Sequence, residues 1–491
     1  METNAPVRRT KIVATLGPAT DAPGMLEKVI AEGVNVVRLN LSHGHPDDHR
    51  ARAVAVREAA SKVGVEVGVL ADLQGPKIRV ERFGNGPVEL TPGEPFVLDC
   101  RPEAAPGDVT RVGVSYYELP RDVKAGDVLL LDDGLVALTV NEVVGQEVRC
   151  TVLIGGRLSD RKGLNRQGGG LSVSALSDKD KADIKLAAEI GADFLAVSFV
   201  RTAADMEEAR RLMRAAGGSA ALVAKIERAD AIPLLDEIID ASDAVMVARG
   251  DLGVEIGDAE LPGLQKKIIR EAVRRNRGVI TATQMLQSMV RSPIPTRAEV
   301  LDVANAVIDG TDAVMLSEES AAGAHPDKAV AALRRICLGA ERQFEPKKED
   351  LAISGRMLDR TDQAIALAAV LLASQLGVRA IIALTESGAT AQWLSRYHTA
   401  VPIYALSPRA SARRRMMLLR DVQPVDFTHA GQTSAASARA AVQQLFDQGK
   451  LAEGDRVVLT QGDHVGRGGG TNTLKLLSVG TGGMVECLRD L

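Results

Sequence analysis

Aromatic residues are nearly missing from this 491-residue chain: Phe, Trp and Tyr together make 2%, with a single tryptophan, Trp393. That scarcity leaves the core to Val, Leu, Ile and Ala, and it removes the stacking platforms on which single-stranded nucleic acids bind. Cysteine is almost as rare. The four thiols, Cys100, Cys150, Cys337 and Cys487, show no Cys-x-x-Cys spacing, which argues against a zinc site or a dithiol centre and for reduced, buried residues. No stretch reaches the ~18 apolar residues of a membrane span. Met1 to Lys11 carries an Arg8-Arg9 pair with no apolar run behind it, so a cytoplasmic protein without a membrane partner is expected. Excess charge is also lacking: 60 basic against 64 acidic residues leave −4, no footprint for nucleic acid.

What the chain does have is a series of short, continuously apolar runs alternating with helix-like stretches. Ile12–Leu16, Val34–Leu39, Val67–Leu73, Phe194–Val200, Leu222–Ile226, Ala244–Ala248, Val279–Ala282 and Ala313–Leu316 have the length and pattern of buried parallel strands. Asp178–Ile190, Met206–Ala216, Ala229–Ile239, Leu261–Arg275, Thr296–Ile308 and Ala329–Arg342 fill the helical positions. Eight such alternations predict a (β/α)8 TIM barrel with its active site at the carboxyl ends of the strands. The long gap between Leu73 and Phe194 must hold an inserted domain. Its turn pairs, Asn85-Gly86, Pro92-Gly93 and Asp133-Gly134, and runs such as Val128–Leu131 and Leu135–Val140, predict a small β-barrel lid over the barrel mouth. After a charged linker, Glu345–Asp350, helices at 362–376, 390–397, 411–419 and 435–448 with strands at 380–384, 403–406 and 456–459 predict a doubly wound α/β domain. The division is 1–75 and 173–343 for the barrel, 76–172 for the lid and 344–491 for the C-terminal regulatory domain.

Two strand ends read Lys225-Ile226-Glu227 and Arg249-Gly250-Asp251. In a strand, residues two apart share a face, so Lys225 would point with Glu227, and Arg249 with Asp251. Two carboxylates and two cations would then meet at the mouth. Hard oxygen ligands with room for substrate oxygens suit Mg²⁺, with Mn²⁺ as a substitute, better than Zn²⁺. The cations point to an anionic, phosphate-bearing substrate. His43, His45 and His49 resemble a metal cluster, but polar helix starts often look this way.

The segments Thr10–Pro18, Arg38-Leu39-Asn40-Leu41-Ser42-His43-Gly44, Lys225-Ile226-Glu227, Ala248–Gly253 and Ala282–Leu286, in this order and each at an expected strand end, resemble the pyruvate kinase family over essentially the whole chain. The resemblance implies phosphoryl transfer from phosphoenolpyruvate to ADP, giving pyruvate and ATP. It implies Mg²⁺ on Glu227 and Asp251, with Lys225 and Arg38 facing the phosphoryl group. Main-chain N–H groups at Gly250 and Asp251 would receive the substrate carboxylate, and Thr283 would lie beside the enolate carbon. Arg79, His43 and Lys162 fall on the nucleotide side, although Arg166-Gln167 replaces the commoner Leu-Pro after Lys162-Gly163-Leu164-Asn165. A homotetramer is also implied. Arg413-Arg414-Arg415 would be either an interface or a solvated helix face.

Two departures stand out. Where potassium-dependent members carry Asp-Thr-Lys-Gly-Pro-Glu, this chain has Asp72-Leu73-Gln74-Gly75-Pro76-Lys77. Lys77 would supply, among the oxygens of Asn40, Ser42 and Asp72, the charge that K⁺ otherwise brings, so K⁺ is expected not to be required. Ser317-Glu318-Glu319-Ser320 carries an extra carboxylate, with Glu318 expected to face outward. In the last domain, Thr385-Glu386-Ser387-Gly388-Ala389-Thr390 at a helix start resembles the family's effector loop, with Thr385, Ser387 and Thr390 around the phosphate of a sugar phosphate or nucleotide; simple helix capping is the alternative. The Gly466–Gly470 run, expected as a mobile loop, lacks the Lys-Ser/Thr ending of a P-loop. Two rival functions are a Mg²⁺-dependent aldolase or lyase acting on a pyruvate enolate, and a catalytically dead phosphate sensor. The first leaves Lys162 and Arg79 without a use; the second does the same for Lys225, Glu227, Asp251 and Thr283.

Overall fold

The computed structural model describes residues 7–343, 358, 360–399, 401–428, 433–463 and 470–486. The Glu345–Asp350 linker, Gly466–Gly469 and Cys487 lie outside them. Eight parallel strands close into a barrel: β1 Lys11–Thr15, β2 Val36–Asn40, β3 Gly68–Asp72, β4 Phe194–Val197, β5 Ala221–Ile226, β6 Ala244–Ala248, β7 Gly278–Ala282 and β8 Ala313–Leu316. Each pairs with its sequence neighbours, and β1 closes on β8. Aliphatic side chains fill the interior, among them Val13, Val36, Leu70, Val223, Met246 and Ile280. The helices cover the outer face as a second, larger apolar layer.

Local chemistry sets the helix limits. Ser177 opens the helix Asp178–Glu189 by accepting from Asp180 N–H, and Thr296 does the same for Arg297–Ile308 through Glu299 N–H. The helix expected over 229–239 splits into a 3₁₀ turn, Ala229–Ala231, and a helix, Leu235–Ala241, because Pro233 has no N–H to continue the ladder.

The lid leaves after β3 and returns before β4, two strands that pair in the barrel. It consists of a six-stranded sheet and a two-stranded ribbon, Val88–Leu90 with Gly156–Leu158. Phe96, Leu98, Leu129, Leu131 and Val148 form its separate core.

The C-terminal sheet runs in the order β11-β10-β9-β12-β13-β14, from β9 Ala380–Leu384, β10 Ile403–Ser407, β11 Val422–Asp426, β12 Arg456–Gly462, β13 Thr471–Val479 and β14 Val485–Glu486. The first four are parallel, as a doubly wound sheet requires, while β13 and β14 add an antiparallel edge. This domain closes the floor of the barrel. Leu418 joins the barrel's interior apolar cluster, and Arg396 and Asp312 form a buried ion pair across the junction. The arginine run is engaged within the chain: Arg413 pairs with Glu66 (2.7 Å) and Asp426 (2.8 Å), Arg414 with Asp193 (2.8 Å), and Arg415 donates to the Ser219 carbonyl. Lys11, fully buried at the start of β1, donates its ammonium to the Val422 carbonyl.

Candidate active site

The polar cluster at the barrel mouth is built from strand ends. Lys225, near the end of β5, is 8% exposed and lies 3.0 Å from Glu227 Oε1 and 3.2 Å from Asp72 Oδ1. It donates to Ser198 Oγ at 2.7 Å. Burial opposes its charge, yet Asp72 and Glu227 outweigh that and hold the ammonium pKa above its ordinary value. Asp72, at the end of β3 and fully buried, also accepts from Arg38 Nε (2.6 Å). Burial resists its ionisation, but Lys225 and Arg38 prevail and keep the carboxyl below its usual range. Arg38 donates its other contact to Thr15 Oγ1 at 3.1 Å. The mouth is therefore a wired lattice of alternating charges.

Glu227 Oε2 accepts from Phe199 N–H at 2.7 Å. Burial pushes its pKa up, Lys225 pulls it down, and the charge of Asp251 pushes it up again, leaving it raised. Two carboxylates close enough to repel, one just after β5 and one in the helix that follows β6, are what a divalent cation relieves. The donor set is all oxygen, and Asp251 remains partly open to solvent. These residues fit a Mg²⁺ held by two carboxylates, with its other positions left to water and substrate oxygens. Among the described residues no group of three or more His, Cys, Asp or Glu side chains is placed to hold a metal, and His43 is exposed, its carbonyl accepting from the buried His49 ring at 2.9 Å.

Arg249 departs from expectation. β6 stops at Ala248 and Arg249 opens the helix Arg249–Ile256, in which residues two apart point to different faces. Arg249 is 7% exposed and turns sideways to the Thr283 carbonyl (2.6 Å) and Asp302 (2.7 Å), so it braces the barrel wall and does not join Asp251 at the mouth. The cation on Asp251 is Lys77, at 3.1 Å. Lys77 is thus not set against Asp72 as expected: Asp72 already has two cations, and Asp251 is the carboxylate that lacks one. Asn40 accepts from Ser42 N–H at 3.2 Å, beside this cluster but not on Lys77.

Thr283 follows β7 at φ +65°, a rare conformation for a β-branched residue and a mark of a constrained site. Its hydroxyl accepts from Gly250 N–H at 2.9 Å and donates to the Ala282 carbonyl at 2.7 Å. Gly250 N–H is thereby shared with Thr283, while Asp251 N–H lies in the first helical turn, where amides have no helical partner. On the lid, Arg79 donates to the Arg161 carbonyl (2.9 Å) and Lys162 pairs with Asp132 (2.8 Å). Sequence reasoning passed over Ser198 and Phe199. The signal was present, since a polar Ser at a barrel strand's carboxyl end is a site position. Gly75, at φ +69°, packs so tightly there that a Cβ would lie 2.7 Å from Ser198 Cβ. Glu318 faces outward, near Gln287, while Glu319 is buried on Leu286 and Ser317 N–H groups.

In the C-terminal domain, Thr385 Oγ1 accepts from Gly388 N–H (3.0 Å), Thr390 shares a hydrogen bond with Thr471 (2.6 Å), and Ser387 is exposed. The three hydroxyls border one loop, two of them already engaged.

The profile for the pyruvate kinase barrel domain matches residues 7–330, and that for the pyruvate kinase alpha/beta domain matches residues 363–477. Pyruvate kinase II of Salmonella typhimurium strain LT2 is 54% identical over 479 residues, covering 96% of this chain and 99% of that protein. Pyruvate kinase of Haemophilus influenzae is 50% identical over 464 residues, 93% and 96% of the two chains. A crystal structure of a pyruvate kinase from Cryptosporidium parvum superposes with a TM-score of 0.91 at 32% identity, covering 96% of each chain. The matched segments include every strand that supplies the mouth cluster, and the chain belongs to the pyruvate kinase family.

Proposed function

We propose that the barrel mouth transfers the phosphoryl group of phosphoenolpyruvate to ADP, giving pyruvate and ATP. The observation that carries this is the lattice of Lys225, Arg38, Asp72, Glu227 and Asp251: two cations locked in place beside two paired carboxylates. Phosphoryl transfer asks for positioning and for fixed charge around a spread negative group, and little covalent help. Lys225 and Arg38 meet that need because Asp72 holds both rigid, so no reorganisation is required when charge moves. Glu227 and Asp251 would hold Mg²⁺, which would supply positive charge to offset that of an anionic substrate. The first-turn N–H of Asp251, with Gly250, is suited to the substrate carboxylate. Thr283, fixed by two hydrogen bonds, is placed to hold or relay the proton that the enolate carbon must gain. Arg79, Lys162 and His43 would serve the nucleotide.

Lys77, as a fixed ammonium on Asp251, supports a reaction without K⁺. The exposed Ser387, with Thr385 and Thr390, supports a phosphorylated effector, a sugar phosphate or a nucleotide. Ile294, Leu301 and Ile308 are exposed on and before one barrel helix, which is compatible with the homotetramer that the family resemblance implies. Cys100, Cys150 and Cys337 are unpaired buried thiols, which suits the cytoplasm; no described helix is long and apolar enough to cross a membrane. A lyase on the same barrel would have no need of ADP. A lactate-dehydrogenase-coupled assay therefore tests the reading: pyruvate should form in proportion to added ADP, and formation without ADP would overturn it.

A further inference from the structure

The lid returns to the barrel through residues 166–171, and this segment is fastened by buried side chains that the transfer chemistry does not use. Glu255 is 4% exposed. Its Oε2 accepts from Ala229 N–H at 2.8 Å, its Oε1 from the Asn165 amide at 3.4 Å, and its main-chain carbonyl from Gly168 N–H at 3.0 Å. Gly169, at φ +76°, presses so close that a Cβ there would sit 3.2 Å from Glu255 Oε2. Beside it, the buried Arg228 donates to the Leu171 carbonyl at 2.7 Å and pairs with Asp230, whose carboxylate accepts from Gly170 N–H. A carboxylate in so dry a place is tolerated only with its lone pairs satisfied, which restricts it to one geometry.

These fasteners grow from the segments that bear the metal-binding carboxylates. Arg228 and Ala229 follow Glu227 directly, and Glu255 stands one turn after Asp251 in the same helix. On the lid side, Asn165 belongs to the strand Leu164–Arg166, three residues after Lys162. The link from Lys162 to the helix bearing Asp251 thus runs through the side-chain contact of Asn165 with Glu255 and the main-chain bond from Gly168 N–H to the Glu255 carbonyl, while Lys77 on Asp251 is a second, separate tie.

We propose that Glu255 is a positioning residue of the reaction: its carboxylate latches the lid's return strand to the helix bearing Asp251, and so sets how far the nucleotide-side Lys162 stands from the phosphoryl-side Lys225. This rests on the phosphotransfer reading above. Loosening the latch frees the lid but leaves Lys225, Arg38 and Asp72 on the barrel, so use of ADP suffers and binding of phosphoenolpyruvate does not.

The test uses the full-length chain with Glu255→Ala, Glu255→Gln, Asn165→Ala and the double variant Asn165→Ala/Glu255→Ala. For Glu255→Ala, kcat/KM for ADP should fall by about 10- to 100-fold, the range for a misplacement remote from the chemistry, while KM for phosphoenolpyruvate stays close to wild type. Glu255→Gln, which keeps an acceptor for Ala229 N–H, should recover part of the loss. Amide exchange over 164–171 should speed up in Glu255→Ala with the barrel strands unchanged. The double variant should be no worse than Glu255→Ala, because Asn165→Ala removes a contact that Glu255→Ala has already broken. Wild-type ADP kinetics in Glu255→Ala, equal losses toward both substrates, or additive effects in the double variant would each overturn the latch. If Glu255→Ala does not fold, Asn165→Ala alone must show the ADP-selective loss or the proposal fails. Wild-type enzyme that makes no pyruvate from ADP and phosphoenolpyruvate would overturn the phosphotransfer reading instead.

Discussion

Replacing Lys225 by Met keeps most of the side chain's bulk and removes an ammonium that touches both Asp72 and Glu227, at 3.2 and 3.0 Å. Two effects of separable size follow. Asp72 keeps Arg38, but Glu227 keeps only the Phe199 N–H beside the like charge of Asp251. Breaking a buried pair in this way is destabilising by roughly 3–5 kcal/mol. The chemical step loses a preorganised cation aimed at developing charge, a loss of about 2.7–4 kcal/mol, or 10²–10³ in kcat. KM for phosphoenolpyruvate should change much less, because Arg38 and the two carboxylates proposed to hold Mg²⁺ remain. The checks are steady-state kinetics in the coupled assay and chemical denaturation with and without Mg²⁺. The stability deficit should be larger in EDTA than in excess Mg²⁺, since a dication on Glu227 and Asp251 offsets the missing ammonium. A variant with near-wild-type kcat, or one whose defect lies wholly in KM, would show that Lys225 is scaffolding and not part of the transfer.

Three further outcomes are expected. In potassium-free and sodium-free tetramethylammonium buffer with Mg²⁺, turnover should proceed and adding KCl should leave it unchanged; a many-fold rise would remove Lys77 from the role given to it. Burial holds the Lys11 ammonium pKa down at about 7 with Arg8 adding to the effect, while Asp421, Glu341 and Asp312 oppose it. Its folded pKa lies below the unfolded one near 10.5, so the unfolded chain binds more protons between those values and stability rises with pH from about 7 to 10.5. Lys11→Met should abolish that rise and raise stability near pH 7, on the order of a few kcal/mol; an unchanged pH profile in denaturant melts would refute it. A thermal-shift screen of sugar phosphates and AMP should find a stabilising compound whose effect is lost in Ser387→Ala, with a hundredfold excess over Kd giving about 2.7 kcal/mol; an effect that survives the substitution would place the effector elsewhere.

Much of this molecule is readable because a buried parallel strand leaves a plain trace, a short aliphatic run closed by polar residues. Ala380–Leu384 and Ala244–Ala248 have the same limits in sequence and structure. Lys225 and Glu227 meet at the mouth as strand periodicity requires. Arg249 departs from strand periodicity because the chain changes period between Ala248 and Arg249, and no residue there announces a helix. β11 was hidden by Pro424, which an edge strand tolerates and an interior one would not. The partners of Arg413 and Arg414, Glu66 and Asp193, lie hundreds of positions away in the chain, and only the folded contact surface reveals them.

The strand β7 begins at Gly278, where a side chain would lie against Leu418 of the C-terminal domain, and ends one residue before Thr283. Foot and crown of the catalytic scaffold are thus joined by a rod of five residues, roughly 17 Å long. The junction with the tail and the strained threonine therefore occupy opposite ends of one and the same stave.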